Sequence, residues 1–169
     1  METITLLNTE TVIRVISHVL KDGSISPKSF KLRQWPEPKG SERYISVNRY
    51  DCDFLVNDLR TYDKGRNLPC AKMNVGEIRA INLFIGSTDK HPVKYDVLDM
   101  HSEATPSHAG IFITVANMPL EGSGDALLDS IEEGEDKDFH LLAIRSALVD
   151  IVKKPLITID AICEEKGQA

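Results

Sequence analysis

Glycine and proline interrupt this chain at short intervals, and that punctuation confines it to short elements. Gly23, Gly65 and Gly86 each close a periodic stretch, and three glycines fall between Met118 and Asp136. From Ser24 to Gly40, Pro27, Pro36, Pro38 and Gly40 exclude a long helix, so Phe30 to Trp35 is expected to be extended. Between the breaks, hydrophobic periodicity assigns the elements. Asn8 or Thr9 can cap a helix with Val12, Val15, Ile16, Val19 and Leu20 on one face. Arg43 to Asn48 is rich in β-formers and reads as a strand, after which Asp51 or Asp53 can cap a short helix running to about Tyr62. Alternation through Met73 and Val75 shifts phase after Gly76 and resumes at Ile81, Leu83 and Ile85, as in a bulged strand. Tyr95 to Met100 and Gly110 to Val115 give two further strands. Leu141, Ile144, Leu148, Ile151 and Val152 form the stripe of the clearest helix, ended by Pro155. Leu156 to Ile162 reads as a terminal strand, and Glu164 to Ala169 as a fraying end. The sum is a single α+β domain over residues 1–169, a mostly antiparallel sheet with two or three packed helices.

Composition narrows the function classes. At 169 residues and 18.8 kDa the chain can bury roughly two thirds of its unfolded surface around one core. Its 41% hydrophobic and 27% charged residues exclude disorder, and no apolar run approaches the ~18 residues of a membrane span. The N-terminus lacks the pattern of a signal peptide, so a cytoplasmic address and no membrane partner are expected. Cys52, Cys70 and Cys163 contain no C-x-x-C pair and are read as free thiols. Net charge is −6, but residues 1–85 hold 13 Lys+Arg against 10 Asp+Glu, while residues 86–169 hold 7 against 16. That asymmetry points to a polar protein partner; the run Glu132-Glu133-Gly134-Glu135-Asp136 itself reads as a solvated loop.

The pairing that most suggests chemistry is Cys52, in Tyr50-Asp51-Cys52-Asp53-Phe54, with His108, in Pro106-Ser107-His108-Ala109-Gly110-Ile111. A cysteine opening a helix gains thiolate character from unpaired backbone N–H groups, and a histidine on a strand can serve as its base. In Asp51-Cys52 and His108-Ala109-Gly110-Ile111 the chain resembles the NlpC-type amidases, a branch of the papain-like thiol hydrolases. The resemblance implies Cys52 as nucleophile, His108 as base and an amide substrate, with Asn117 the candidate to orient the imidazole. Asp53 stands where those enzymes carry serine, and a second carboxylate beside Cys52 raises a thiol pKa. The chain also resembles a family of uncharacterised bacterial proteins in Phe30 to Arg33, Tyr44-Ile45-Ser46-Val47-Asn48-Arg49 and Pro106 to Ile111, with Ser-Val-x-Arg and His-Ala-x-Ile strands; that resemblance implies no activity.

Other chemistries find less in the chain. His91, Asp96, Asp99, His101, Glu103 and His108 crowd two strand ends, yet His101-Ser102-Glu103 lacks the following P-C-x-x-C of zinc deaminases, and no metal or other cofactor is expected. His18 and His140 fall on expected helices without nameable partners. Lys28, Lys31, Arg33, Lys39, Arg43 and Arg49 interleave with Phe30, Trp35, Tyr44 and Tyr50 as a single-strand nucleic-acid site would. Glu37 and Glu42 interrupt them and the pI is near 5.4, which argues against nucleic acid. Gly122-Ser123-Gly124 lacks the lysine of a phosphate loop. The expectation is a cytoplasmic, non-catalytic binding or accessory protein, with papain-like thiol hydrolysis through Cys52 and His108 as the alternative.

Overall fold

In the computed structural model, residues 4–36, 38–86, 89–122, 127–128 and 137–168 are described. In chain order they form β1 (Thr11–Val15), a 3-10 turn (Pro27–Phe30), β2 (Ile45–Arg49), α1 (Leu55–Asp63), β3 (Pro69–Asn74), α2 (Val75–Arg79), β4 (Leu83–Ile85), β5 (His91–Asp99), β6 (His108–Val115), β7 (Met118–Pro119), α3 (Lys137–Asp150), β8 (Lys153–Thr158) and α4 (Ile159–Glu165). The strands join in one sheet of order β4-β5-β6-β2-β1-β3-β8, with β7 pairing β6 off this path, and every pairing is antiparallel. The architecture is α+β.

Side-chain alternation divides the sheet into two unlike faces. On one, Val12, Ile45, Val47, Met73, Val97, Ala109, Ile111, Ile113 and Val115 are buried beneath Ile78 of α2 and Leu141, Ile144 and Leu148 of α3, with Phe30 and Leu32 filling the rim. Each such aliphatic side chain contributes about 1.5–3 kcal/mol by leaving water. The other face is apolar only across β1 and β3, where Ile13 and Cys70 meet Leu55 and Leu59 of α1 and Ile159, Ile162 and Cys163 of α4. Toward β2 and β6 it carries Ser46, Asn48 and His108 instead.

Several elements differ from what periodicity predicts, each for a local reason. The expected helix over Val12 to Leu20 is strand β1 followed by a hairpin whose turn holds Gly23 at φ 85° and closes with the Val19–Ile25 bridge. Val12 and Ile13 are both fully buried, one in each cluster, so the apolar run reflects burial on two faces rather than helical period. Phe30 ends the 3-10 turn rather than opening an extended run. The helix expected to start at Asp51 or Asp53 begins at Leu55 after Phe54, with no side-chain cap. The phase shift at Gly76 is α2, capped by the Asn74 side chain accepting from the Glu77 N–H at 3.0 Å, rather than a bulge. Helix α3 ends at Asp150, and Pro155 lies inside β8, an edge strand, where a missing N–H is tolerated. The expected terminal strand stops at Thr158, whose hydroxyl accepts from the Ala161 N–H and starts α4. The expected fraying end is held by Lys166, whose ammonium donates to the Tyr50 carbonyl at 2.7 Å. The acidic run 132–136 lies outside the described residues.

One close approach fixes the polar half of the second face. Tyr44 lays its ring over Gly110, 5.0 Å between centroids from Phe112 and 5.7 Å from His108. A Cβ on residue 110 would sit 2.5 Å from Tyr44 Cδ2 and 2.8 Å from Cγ. Gly110→Ala must therefore lift the ring, and we expect it to cost about 1–3 kcal/mol in urea unfolding; an unchanged midpoint would show that Tyr44 does not rest there.

Candidate ligand-binding cleft

A cleft of about 260 Å³ opens on that polar half, lined by Arg14, Val15, Ser17, Arg33, Glu42, Ser46, Asn48, Asp58, Tyr62, Thr105 and His108. It exists because β1 and β2 pair only at Val12–Arg49 and Ile13–Asn48, whereas β1 stays paired with β3 as far as Val15–Cys70. Where the ladder stops, the Arg14 side chain takes its place. Nη1 donates to the Ser46 carbonyl at 2.7 Å, and Nη2 and Nε donate to the Ser29 carbonyl at 3.0 and 3.2 Å. Burial, reinforced by the like charge of Arg33, pulls the guanidinium down to about 10, with Glu42 and Tyr62 opposing. It stays cationic at neutral pH. Among the described residues three of the five N–H donors that an arginine carries are used, all on neutral carbonyls, and no carboxylate hydrogen-bonds it.

Helix α1 supplies Asp58 and Tyr62 to the lining. Asp58 is 7% exposed and its Oδ2 accepts from the Ser107 N–H at 2.8 Å and the Ser107 hydroxyl at 2.5 Å. The Asn48 amide donates to the same hydroxyl at 2.8 Å, which ties β2 to the start of β6. Asp58 Oδ1 is buried with no hydrogen-bond partner. His108 lies across from Asn48 in the β2–β6 register, and its Nε2 meets the Tyr44 hydroxyl at 3.2 Å. Burial lowers its pKa, against the pull of Asp58 and Asp99, so the ring is neutral at pH 7.

Of the three catalytic candidates singled out in the sequence, only His108 lies in this cleft; Arg33, from the run of cations and rings, lines it too. Cys52 lies past the end of β2, its N–H bonded to the Arg49 carbonyl at 3.4 Å, half-buried and outside the cleft lining. Among the described residues no hydrogen bond joins it to His108. Asn117 is exposed in the turn after β6, at φ 66°, the far end of that strand from His108 and roughly 25 Å along it. The structure thus brings none of the three together. Ser107, next to His108, is fully buried and hydrogen-bonded, which removes it as a nucleophile.

The remaining candidates are engaged elsewhere. Asp99 and His101 pair with each other at 2.9 Å and Asp99 with Arg49 at 3.4 Å, while Asp96 holds Arg79 at 2.7 Å. Among the described residues no group of three or more His, Cys, Asp or Glu side chains is placed to hold a metal. His18 bonds the Ser17 hydroxyl through Nδ1, on the hairpin rather than a helix; His140 is buried on α3. Phe30 is core, Trp35 has the cations of Arg33 and Lys39 over its ring, and Tyr50 has those of Lys72 and Lys166. Among the described residues no helix is long and apolar enough to cross a membrane. Compared with known proteins, the chain matches no family model, no curated protein and no solved structure.

Arg14 and Asp58 carry no recognisable motif. Arg14 sits among apolar neighbours that hide it, and Asp58 occupies an ordinary polar position of a short helix. The depressed His108 pKa gives a test of the cleft's dryness. Unfolded histidine titrates near ~6.5 and the folded ring lower, so between those values the unfolded chain holds more protons and stability falls as pH drops. The loss levels off below the folded value. We expect His108→Gln, which keeps a hydrogen-bonding group for Tyr44, to show a shallower decline in urea midpoint from pH 7 to pH 5; equal slopes would mean that His108 is not desolvated.

Proposed function

We propose that this protein is a non-catalytic binding protein whose cleft between β1 and β2 recognises a small molecule through an anionic group. The observation that carries the reading is Arg14: a half-buried cation in the cleft wall, fixed by two carbonyls, with N–H groups to spare and no carboxylate among the described residues bonded to it. Arg33 adds a second cation to the lining. Buried charge is stable when paired, and a carboxylate or phosphate that takes both free N–H groups of a preset guanidinium gains charge-assisted hydrogen bonds at little ordering cost. The volume suits a small molecule rather than the surface of a folded partner.

Binding is favoured over thiol hydrolysis because no hydrogen bond joins Cys52 to His108 among the described residues, Cys52 lies outside the cleft lining, and Asn117 lies beyond the far end of the strand that His108 opens. Three free cysteines, two of them buried, are compatible with a reducing cytoplasmic setting.

The test is direct. Inorganic phosphate and acetate should produce saturable chemical-shift changes at cleft amides such as Ser107 and raise the melting temperature. Arg14→Gln, which retains donors for the carbonyls but no charge, should weaken binding on the order of tenfold or more. Anions that leave the native protein unperturbed would remove the proposal. Iodoacetamide at pH 7 tests the rival: labelling of Cys52 should be as slow as that of an ordinary thiol, and selective rapid labelling would restore the hydrolase.

A further inference from the structure

A second cation lines the cleft, and its charge is the least committed one there. Arg33 opens the hairpin closed by the Gln34–Ser41 bridge; its backbone N–H donates to Glu42 Oε2 at 2.8 Å and its carbonyl accepts from the Glu42 N–H at 2.8 Å. The residue is exposed, and among the described residues its side chain makes no hydrogen bond and no ion pair. What steadies it is Trp35. The guanidinium carbon lies 5.6 Å from the centre of the indole ring, with the Lys39 ammonium 4.2 Å from a centre of the same side chain. A ring face holds a guanidinium without consuming its N–H groups, so Arg33 lines the cleft with its five donors unspent.

The two guanidinium groups feel each other. After burial, the like charge of Arg33 is the largest influence holding Arg14 below its ordinary value, and Glu42 opposes it. The lining carries two carboxylates, yet among the described residues neither bonds either arginine side chain: Asp58 Oδ2 serves Ser107, Asp58 Oδ1 is buried, and Glu42 Oε2 takes the Arg33 backbone N–H. Two forks therefore wait for an anion. A carboxylate brings two oxygens and one charge, which suits a single fork. A phosphate monoester brings three terminal oxygens and close to two charges at neutral pH, which suits both and offsets their mutual repulsion.

We propose that Arg33, steadied on Trp35, completes the anion seat begun by Arg14, and that the group recognised is a dianion of the phosphate-monoester class rather than a carboxylate. This rests on the Arg14 seat proposed above and adds its second half. Trp35 lies outside the cleft lining and is a positioning residue, acting through Arg33.

Methyl phosphate and dimethyl phosphate test it at about pH 7.5, where the first carries close to two charges and the second only one at similar size. Chemical shifts are read at Ser107 and at the indole N–H of Trp35, the single tryptophan of the chain. Methyl phosphate should bind on the order of tenfold tighter than dimethyl phosphate or acetate and should move the indole signal. Arg33→Gln, an exposed change that keeps the backbone bonds to Glu42, should erase that preference while weakening dimethyl phosphate far less. Trp35→Leu should reduce the preference, and Trp35→Phe, which keeps a ring face, should retain it. Equal binding of all three anions, or a preference that survives Arg33→Gln, would overturn the second contact and leave the Arg14 seat intact. If none of the three binds, both readings fall.

Discussion

The structure turns on one half-buried guanidinium. Strands β1 and β2 share only two register pairs, and a sheet split at that point would lose the connection between its β4-β5-β6-β2 half and its β1-β3-β8 half. Arg14 bridges the split by bonding the Ser46 carbonyl of β2 and the Ser29 carbonyl of the 3-10 turn at once. A neutral side chain could offer some of these bonds, but not a rigid planar fork with two acceptors and donors left over. The same residue closes the backbone accounting of the opened ladder and places a positive charge in the wall of the gap. Fold and site are therefore one construction.

The polar half of the second face depends on a chain of hydrogen bonds that begins where the ladder opens. Asn48 holds Ser107, Ser107 holds Asp58, and Asp58 anchors α1, whose same buried face supplies Leu55 and Leu59 to the small apolar cluster. Tyr44 screens His108 from one side by lying flat on Gly110, which keeps the imidazole dry enough to be neutral. Helix α1 is thus fastened on that face by apolar contacts and by a buried carboxylate. Rigid placement of that carboxylate follows from both.

What could be read from the chain is what burial on one face writes into it. Strands β2 and β6 and helix α3 show clean alternation or a clean stripe because each presents one side to the main core. Strand β1 does not: Val12 and Ile13 are buried on opposite faces, and a two-sided apolar run carries no period that separates strand from helix. Residues 156–162 mislead differently, because Thr158 switches strand to helix in the middle of an unbroken β-branched run, and only its capping bond marks the change. His108 was visible as a polar residue opening a strong strand, but its neighbours lie far off in sequence: Tyr44 64 residues away and Ser107's partner Asp58 49 away. The fifty-six-residue spacing to Cys52 looks catalytic in one dimension; in three, the turn after β2 carries the thiol away from the cleft.

Most buried polar groups here are satisfied to an ordinary degree. Asp63, fully buried, accepts from the Asn67 and Leu68 N–H groups at 2.8 and 2.9 Å, and the Tyr95 hydroxyl donates to the Ile144 carbonyl at 2.7 Å. Against that background, the Asp58 Oδ1 left without a donor is a departure, and it belongs to a residue that lines the cleft. Local rules of satisfaction are kept throughout a fold where they cost nothing, and they are broken at functional sites.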